Sequence, residues 1–231
     1  MRPRHKQARG EATRQRVLDA AIEAFATLGF DGASTRDLVA RAGTSLTAIR
    51  YHFGGKAGVY RAAAQHIAAG MRSKLAPSFD RARATAADRR IPRGELIDSI
   101  GRVFEDFATH LLGADVPESW IRFLAREQLD PTPAFSVLFG TIRPFTDAVS
   151  TLIGRVTGRA AHSRDVRLLT FMLVGQVIVF RTSRAAVVRL VGWRRFGPAE
   201  QQQIRPLIGR HVRVLLRDHA RSRTQRSRAS R

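Results

Sequence analysis

Ser45, Thr47, Arg50, Tyr51 and His52 crowd into one short stretch of the segment 34–60, STRDLVARAGTSLTAIRYHFGGKAGVY. They offer two hydroxyls, a guanidinium, a phenol and an imidazole. Those groups suit the edge of a DNA duplex. A threonine can hydrogen-bond a base edge or touch a thymine methyl, and an arginine can pair with guanine or with a phosphate. Tyr51 and His52 are better suited to backbone phosphates, which fix register rather than sequence. Thr35 opens the preceding predicted helix, where free N–H groups and a hydroxyl suit a phosphate. Lys56 suits the next phosphate along, and Arg36 and Leu46 complete the candidate contacts. Each has a plainer alternative: Ser45 as a helix cap, Tyr51 as a core ring, His52 as a structural residue, and Gly54-Gly55 as a turn.

Reading such groups from DNA requires a short helix with an apolar back and a polar front. The segment supplies one. Ser34 caps a helix, with Asp37 three residues on completing a capping box. Leu38, Val39 and Ala42 form its inward face, Gly43 sits at the turn, and residues 46–52 form a second helix backed by Ile49 and Phe53. A third helix opens at Gly54-Gly55-Lys56. This is a helix-turn-helix with its exit helix. Before it, Val17, Ala21, Phe25 and Leu28 give one apolar helical face from about residue 12, stopped at Gly29.

Downstream the pattern stays helical, with no convincing strand alternation and no internal repeat. Helices are expected over about 56–75, ended by Pro77; from 95 to about 111; from Pro117 to before Asp130; over about 135–153, kinked at Pro144; over 165–184, apolar nearly all round; over 185–190; and over 198–219. The Arg/Ala-rich stretch 81–93 reads as a loop or exposed helix. The chain is therefore all-α. Its expected organisation is a basic disordered tail (1–11), a helix-turn-helix domain (12–60), a helical ligand-binding and dimerisation domain (61–219) and a second basic disordered tail (220–231).

The formal net charge is +21. This favours a polyanionic partner. Residues 1–60 carry +5 and the remainder +16, so charge alone does not locate a site. Both ends are enriched. Arg2, Arg4, Lys6, Arg9, Arg14 and Arg16 face only Glu11, and Arg217, Arg221, Arg223, Arg226, Arg228 and Arg231 face only Asp218. Such ends read as solvated tails, and the first also as a source of phosphate or minor-groove contacts. Cysteine is absent, which excludes disulfides and thiolate metal sites. The seven histidines are scattered, and HExxH, CxxC and phosphate-loop motifs are missing. We therefore expect no enzyme, no metal and no cofactor. No apolar core marks a secretory signal, and the longest apolar run is too short to span a bilayer. The expectation is a soluble, cytoplasmic protein with no membrane partner.

Residues 12–60 resemble the DNA-binding domain of the TetR family of bacterial transcriptional regulators. The first helix, the Gly29-Phe30 turn, Thr35, Gly43, Tyr51-His52-Phe53 and Lys56 carry the resemblance. Arg50 departs from it, standing where many members have an aromatic, and so does Ala57, where an acid is common. AREQLDPTPAF (125–135) and GQVIVFRTSRAAVVRLVGW (175–193) resemble the CecR-like branch. The resemblance implies a homodimer built through the last two long helices as a four-helix interface, here with Leu168, Met172, Gln176, Leu207, His211 and Leu215. The alternative places those residues in the monomer core. The reading is thus a ligand-responsive regulator, a repressor released from a palindromic double-stranded DNA operator by a mostly apolar small-molecule effector. Phe104, Phe107, Trp120, Phe123, Phe139, Gln176 and Phe180 are the candidate ligand contacts, although each aromatic is also an ordinary core residue. Arg126-Glu127 reads as an internal ion pair or part of a polar pocket. The competing function is sequence-independent nucleic-acid binding.

Overall fold

The computed structural model describes residues 3–229, with side chains from Gly10 to Arg221. Among the described residues it contains ten helices: α1 (Pro3–Gly32), α2 (Thr35–Ala42), α3 (Leu46–Phe53), α4 (Lys56–Ala87), α5 (Arg93–Leu112), α6 (Glu118–Leu129), α7 (Phe135–Thr157), α8 (Arg164–Thr182), α9 (Arg184–Val191) and α10 (Pro198–Ala229). The chain divides into two compact units, one of residues 1–71 and 117–141, the other of residues 72–116 and 142–231.

The first unit holds α1, α2, α3, the start of α4 and α6. Val17, Leu18, Ala21, Ile22 and Phe25 of α1 are buried with Leu38, Ile49, Val59 and Ile67. The caps expected from the sequence are formed. The Ser34 amide donates to the Asp37 carboxylate at 2.8 Å and the Asp37 amide donates to Ser34 Oγ at 3.1 Å. Gly43 takes φ 56°, a left-handed backbone that an L side chain resists, and so closes α2 within one turn.

Helix α6, in the region expected to follow the helix-turn-helix domain, is in this compact unit through its contacts with α1. Two adjacent residues attach it. Arg126 donates from Nε to the Ala26 carbonyl at 2.9 Å and from Nη2 to the Thr27 carbonyl, satisfying acceptors that the break in α1 at Gly29 leaves open. Glu127, 1% exposed, accepts from the Tyr60 hydroxyl, from the Thr132 amide at 3.2 Å and from Thr132 Oγ1 at 2.9 Å. Arg126 and Glu127 thus serve different partners rather than pairing with each other. Tyr60 lies among Phe25, Phe30 and Phe123, with ring centroids 4.7, 5.0 and 4.8 Å away. Burial, and then the Glu127 carboxylate, push its phenol well above the usual tyrosine range.

The second unit is built on aromatic packing. Phe145 of α7 stacks on Phe107 at 4.6 Å and on Phe79 at 5.2 Å, with Phe104 edge-on at 6.1 Å. Helices α5 and α10 run close together. A β-carbon at Gly209 would stand 1.9 Å from Glu105 Oε1, so a side chain there would shift that carboxylate from its place beside Arg213, whose Nη1 donates to it at 2.8 Å. Asp98 joins the rail, at 3.0 Å from Arg217.

Two sequence expectations are corrected. Pro77 does not end α4, which runs to Ala87. Leu75, Phe79 and Ala82 continue its buried stripe past the proline, and the alanines beyond favour helix, which offsets the one lost backbone hydrogen bond. The basic ends are also helical as far as the backbone is described, α1 from Pro3 and α10 to Ala229. Extending a helix already held by packing avoids the nucleation cost that keeps short peptides unfolded. Residues 1–2 and 230–231 of the expected tails lie outside the described residues.

Candidate nucleic-acid interface

Helix α3 is the shortest route from sequence to a reading surface. Ser45 caps it, its Oγ accepting from the Ala48 amide at 3.2 Å, and Gly54 ends it at φ 74° with its amide bonded to the Arg50 carbonyl at 2.9 Å. Ile49 is fully buried behind and Phe53 is half-buried. Leu46, Thr47, Arg50 and Tyr51 are exposed in front. Tyr51 is 84% exposed, which rules out the core-ring alternative, and its ring sits edge-on to His52 at 5.0 Å. A polar front on a buried apolar back is the arrangement that a groove-reading helix requires.

The flanking candidates fall on the same unit. Thr35 is the first residue of α2 and half-buried, and Arg36 beside it is exposed. Hydrogen bonds from the Ser34 side chain and then its amide hold the Asp37 carboxyl below the usual carboxylate range, so a negative charge stands in the first turn of α2. A phosphate at Thr35 must share that turn with it. Lys56 is half-buried. Its Nζ lies over the Phe30 ring at 4.6 Å and donates to the Asp31 carbonyl at 3.4 Å, so it is oriented before any phosphate arrives. Arg14, read from the sequence only as part of the basic N-terminal end, lies over the Phe53 ring at 5.7 Å. Its spacing from Val17 and Leu18 could have placed it at the open end of the same helical face.

The second unit bears a different surface. On α8, Leu168, Phe171, Met172 and Val179 are exposed, and on α10 Leu207 and Val214 are exposed. Phe171 is 76% exposed and Met172 63%. The expectation that α8 is buried on every side therefore fails for the single chain: Val166, Leu169, Leu173 and Val177 face inward, and the opposite side is open. Gln176 and His211 are joined within this region, His211 Nδ1 to Gln176 Oε1 at 2.5 Å, while the Gln176 Nε2 is buried without a partner. Leu215 is half-buried where its neighbour Val214 is exposed. Phe171 and Val214 were missing from the expected interface, although Phe171 follows Leu168 at helical spacing.

The candidate ligand contacts divide between the two units. Phe104 and Phe107 are sealed in the aromatic cluster of the second unit, which also holds Gln176 and the half-buried Phe180. Trp120, Phe123 and Phe139 belong to the first unit. There Phe123 stacks on Tyr60, and Phe139 is exposed and stacks on Phe135. Among the described residues no cluster of three His, Asp or Glu side chains forms a metal site. Among them too, no single helix is long and apolar enough to cross a membrane.

Comparison with known proteins agrees with this geometry. Residues 96–218 match the model for the C-terminal domain of the HTH-type transcriptional dual regulator CecR, and residues 17–63 match the model for bacterial regulatory proteins of the tetR family. The HTH-type transcriptional dual regulator CecR of Shigella flexneri is 29% identical over 209 residues, covering 90% of this chain and 93% of the relative. Among solved structures, the TetR family regulator PfmR of Thermus thermophilus superposes with a TM-score of 0.56 at 14% identity, over 86% of this chain and 94% of that one. FadR of Bacillus subtilis, solved in complex with stearoyl-CoA, gives 0.51 at 14% identity, over 87% and 96%.

Proposed function

Because the chain belongs to the CecR-like branch of the TetR family of transcriptional regulators, we propose that it is a homodimeric repressor that reads a palindromic operator through α3 and leaves it when a mostly apolar small molecule binds. The observation that carries the DNA half of the reading is α3 itself, with Thr47, Arg50 and Tyr51 exposed over a buried Ile49. Thr47 and Arg50 read base edges. Thr35, Tyr51, His52 and Lys56 hold phosphates, with Arg36, Ser45 and Leu46 at the margin of the contact.

One such helix makes too few contacts for useful specificity. Two copies related by a two-fold axis set two recognition helices about 34–36 Å apart, one turn of duplex. The open apolar face of α8 and α10 supports that pairing, since a contiguous patch of this kind marks a protein interface. Leu168, Met172, Leu207 and His211 lie in it, with Gln176 beneath. The effector reading rests on family membership and on the apolar interior of the second unit, and FadR with its bound acyl-CoA is a relative in fold that takes such a ligand. The effector binds a form whose reading helices are wrongly spaced, and α4, continuous through both units, carries the change. By linkage, operator and effector weaken each other's binding by one common factor.

Selection of bound duplexes from a random pool tests the base-reading assignment. Wild type should enrich a two-fold symmetric sequence. Thr47→Ala and Arg50→Ala should each relax one position per half-site, with about 1–3 kcal/mol of base discrimination removed by each. A pool that stays random would favour sequence-independent binding, and unchanged preference in both variants would remove these two residues from base reading.

A further inference from the structure

The first ten residues contain Arg2, Arg4, Lys6 and Arg9 and no acid. From Pro3 they are the opening turns of α1. Proline suits a first helical position, because the amide it lacks would have no partner there. The helix leads these residues to a particular place. A β-carbon at Gly10 would stand 3.8 Å from His52 Cε1, so the backbone of α1 passes the C-terminal end of the reading helix α3. One turn further along, Arg14 lies over Phe53, the last residue of α3. The backbone between Gly10 and Pro3 then continues beyond that point for about 10 Å at the helical rise.

We infer that the N-terminal extension of α1 is a second DNA-binding element, a basic helix that grips backbone phosphates flanking the bases read by α3. The inference rests on the DNA reading above and adds a site to it. Three physical arguments carry it. The first ten residues hold four cations and no acid, and a phosphate backbone releases condensed counterions when cations replace them. The backbone path sets the segment beside α3, where a duplex held by α3 must run. A segment already helical in the free protein loses less conformational freedom on binding than a flexible tail does. The basic run at the other end differs: its first member, Arg217, is already paired with Asp98 at 3.0 Å.

The test compares the full chain with a triple variant, Arg4→Gln, Lys6→Gln and Arg9→Gln, which keeps good helix formers at each position. Affinity is measured across a salt series for the selected operator with long flanks, for the same operator trimmed to its core, and for a random duplex. The slope of log affinity against log salt should fall by roughly 0.9 for each phosphate that is no longer neutralised, which amounts to about two or three phosphates per chain. The weakening should appear on long-flank and random DNA and be small on the trimmed core, while the selected base preference stays as in wild type. An unchanged slope on both long-flank and random DNA overturns the inference. If instead the variant lost binding only to vesicles containing an anionic lipid, the segment would serve a membrane surface and the inference would likewise fall. The outcomes separate the two claims. A wild type without base preference sinks the regulator reading, and the slope difference on random duplex still decides the role of the extension.

Discussion

The two units solve opposite problems. The first pairs its polar groups, one of them deep inside: the buried Glu127 with Tyr60 and Thr132, and nearer the surface Arg126 with carbonyls of α1 and Ser34 with Asp37. What it leaves exposed on α3 is mostly polar or amphipathic, with Leu46 the apolar exception. The second buries Phe79, Phe104, Phe107 and Phe145 in one cluster and leaves apolar side chains, Phe171 among them, open on α8 and α10. The difference teaches what each open face suits. A head whose open α3 face carries hydrogen-bond donors suits the polyanion proposed above. A bundle with Phe171 and Met172 in water suits the covering protein surface proposed above, because exposed apolar area of this kind raises the free energy of the isolated chain.

The largest effect should come from breaking the apolar face. Phe171→Asp or Leu207→Asp sets a charge at the centre of the expected pairing surface, at a cost of several kcal/mol per copy if that surface is buried. Association should weaken by at least ~100-fold, since each 1.4 kcal/mol is a factor of about ten. In sedimentation, wild type should run at twice the chain mass of 25.7 kDa and the variants at that mass, with operator affinity falling in parallel. Variants that keep the doubled mass would place the dimer elsewhere, and the contrast between the units would lose its meaning.

Next in size is the buried carboxylate of the first unit. Glu127→Ala leaves the Tyr60 hydroxyl, the Thr132 amide and the Thr132 hydroxyl without their acceptor. At about 1–3 kcal/mol for a buried unsatisfied group, reduced by whatever water enters, the variant should lose about 2–4 kcal/mol. Each kcal/mol lowers the thermal midpoint by about 2–4 °C in a chain of this size. The dimer mass should not change. A loss below about 1 kcal/mol would mean that the first unit does not depend on its polar interior, and the comparison would reduce to the second unit alone.

The sequence displayed some of this and hid the rest for physical reasons. Local signals carried: Ser34 with Asp37, Gly43, Ser45 and Gly54 act within one or two turns, and each sits in the structure as read. Pro77 misled because its effect depends on whether Leu75, Phe79 and Ala82 are held by neighbours, which is tertiary information. The place of α6 was unreadable for the same reason. Arg126 meets Ala26 across 100 residues and Glu127 meets Tyr60 across 67, and nothing local marks either partner. On α8 the apolar content was visible, but composition could not tell the face that packs inward from the face left exposed. Tyr51 and Arg50 were legible as exposed candidates because a short helix has only one back, and Ile49 takes it.

The smallest expected effect separates the phenol of Tyr60 from its ring. Tyr60→Phe keeps the contacts with Phe25, Phe30 and Phe123 and removes the donor to Glu127, which should cost about 1 kcal/mol at neutral pH. The pH dependence carries a sign. Burial and Glu127 raise the phenol, so the folded state holds a proton that the unfolded chain releases near its ordinary value of about 10. The stabilisation is therefore fully present below about pH 10 and declines as pH rises beyond it. Tyr60→Phe has no such proton. The difference in unfolding free energy between wild type and variant should be flat from pH 7 to about pH 10 and shrink above it. Taking that difference cancels the titrations the two proteins share. A difference that holds constant to pH 11 would show that the Tyr60 hydroxyl ionises as freely in the folded protein as in the unfolded one, and the polar interior that sets the first unit apart would lack its central hydrogen bond.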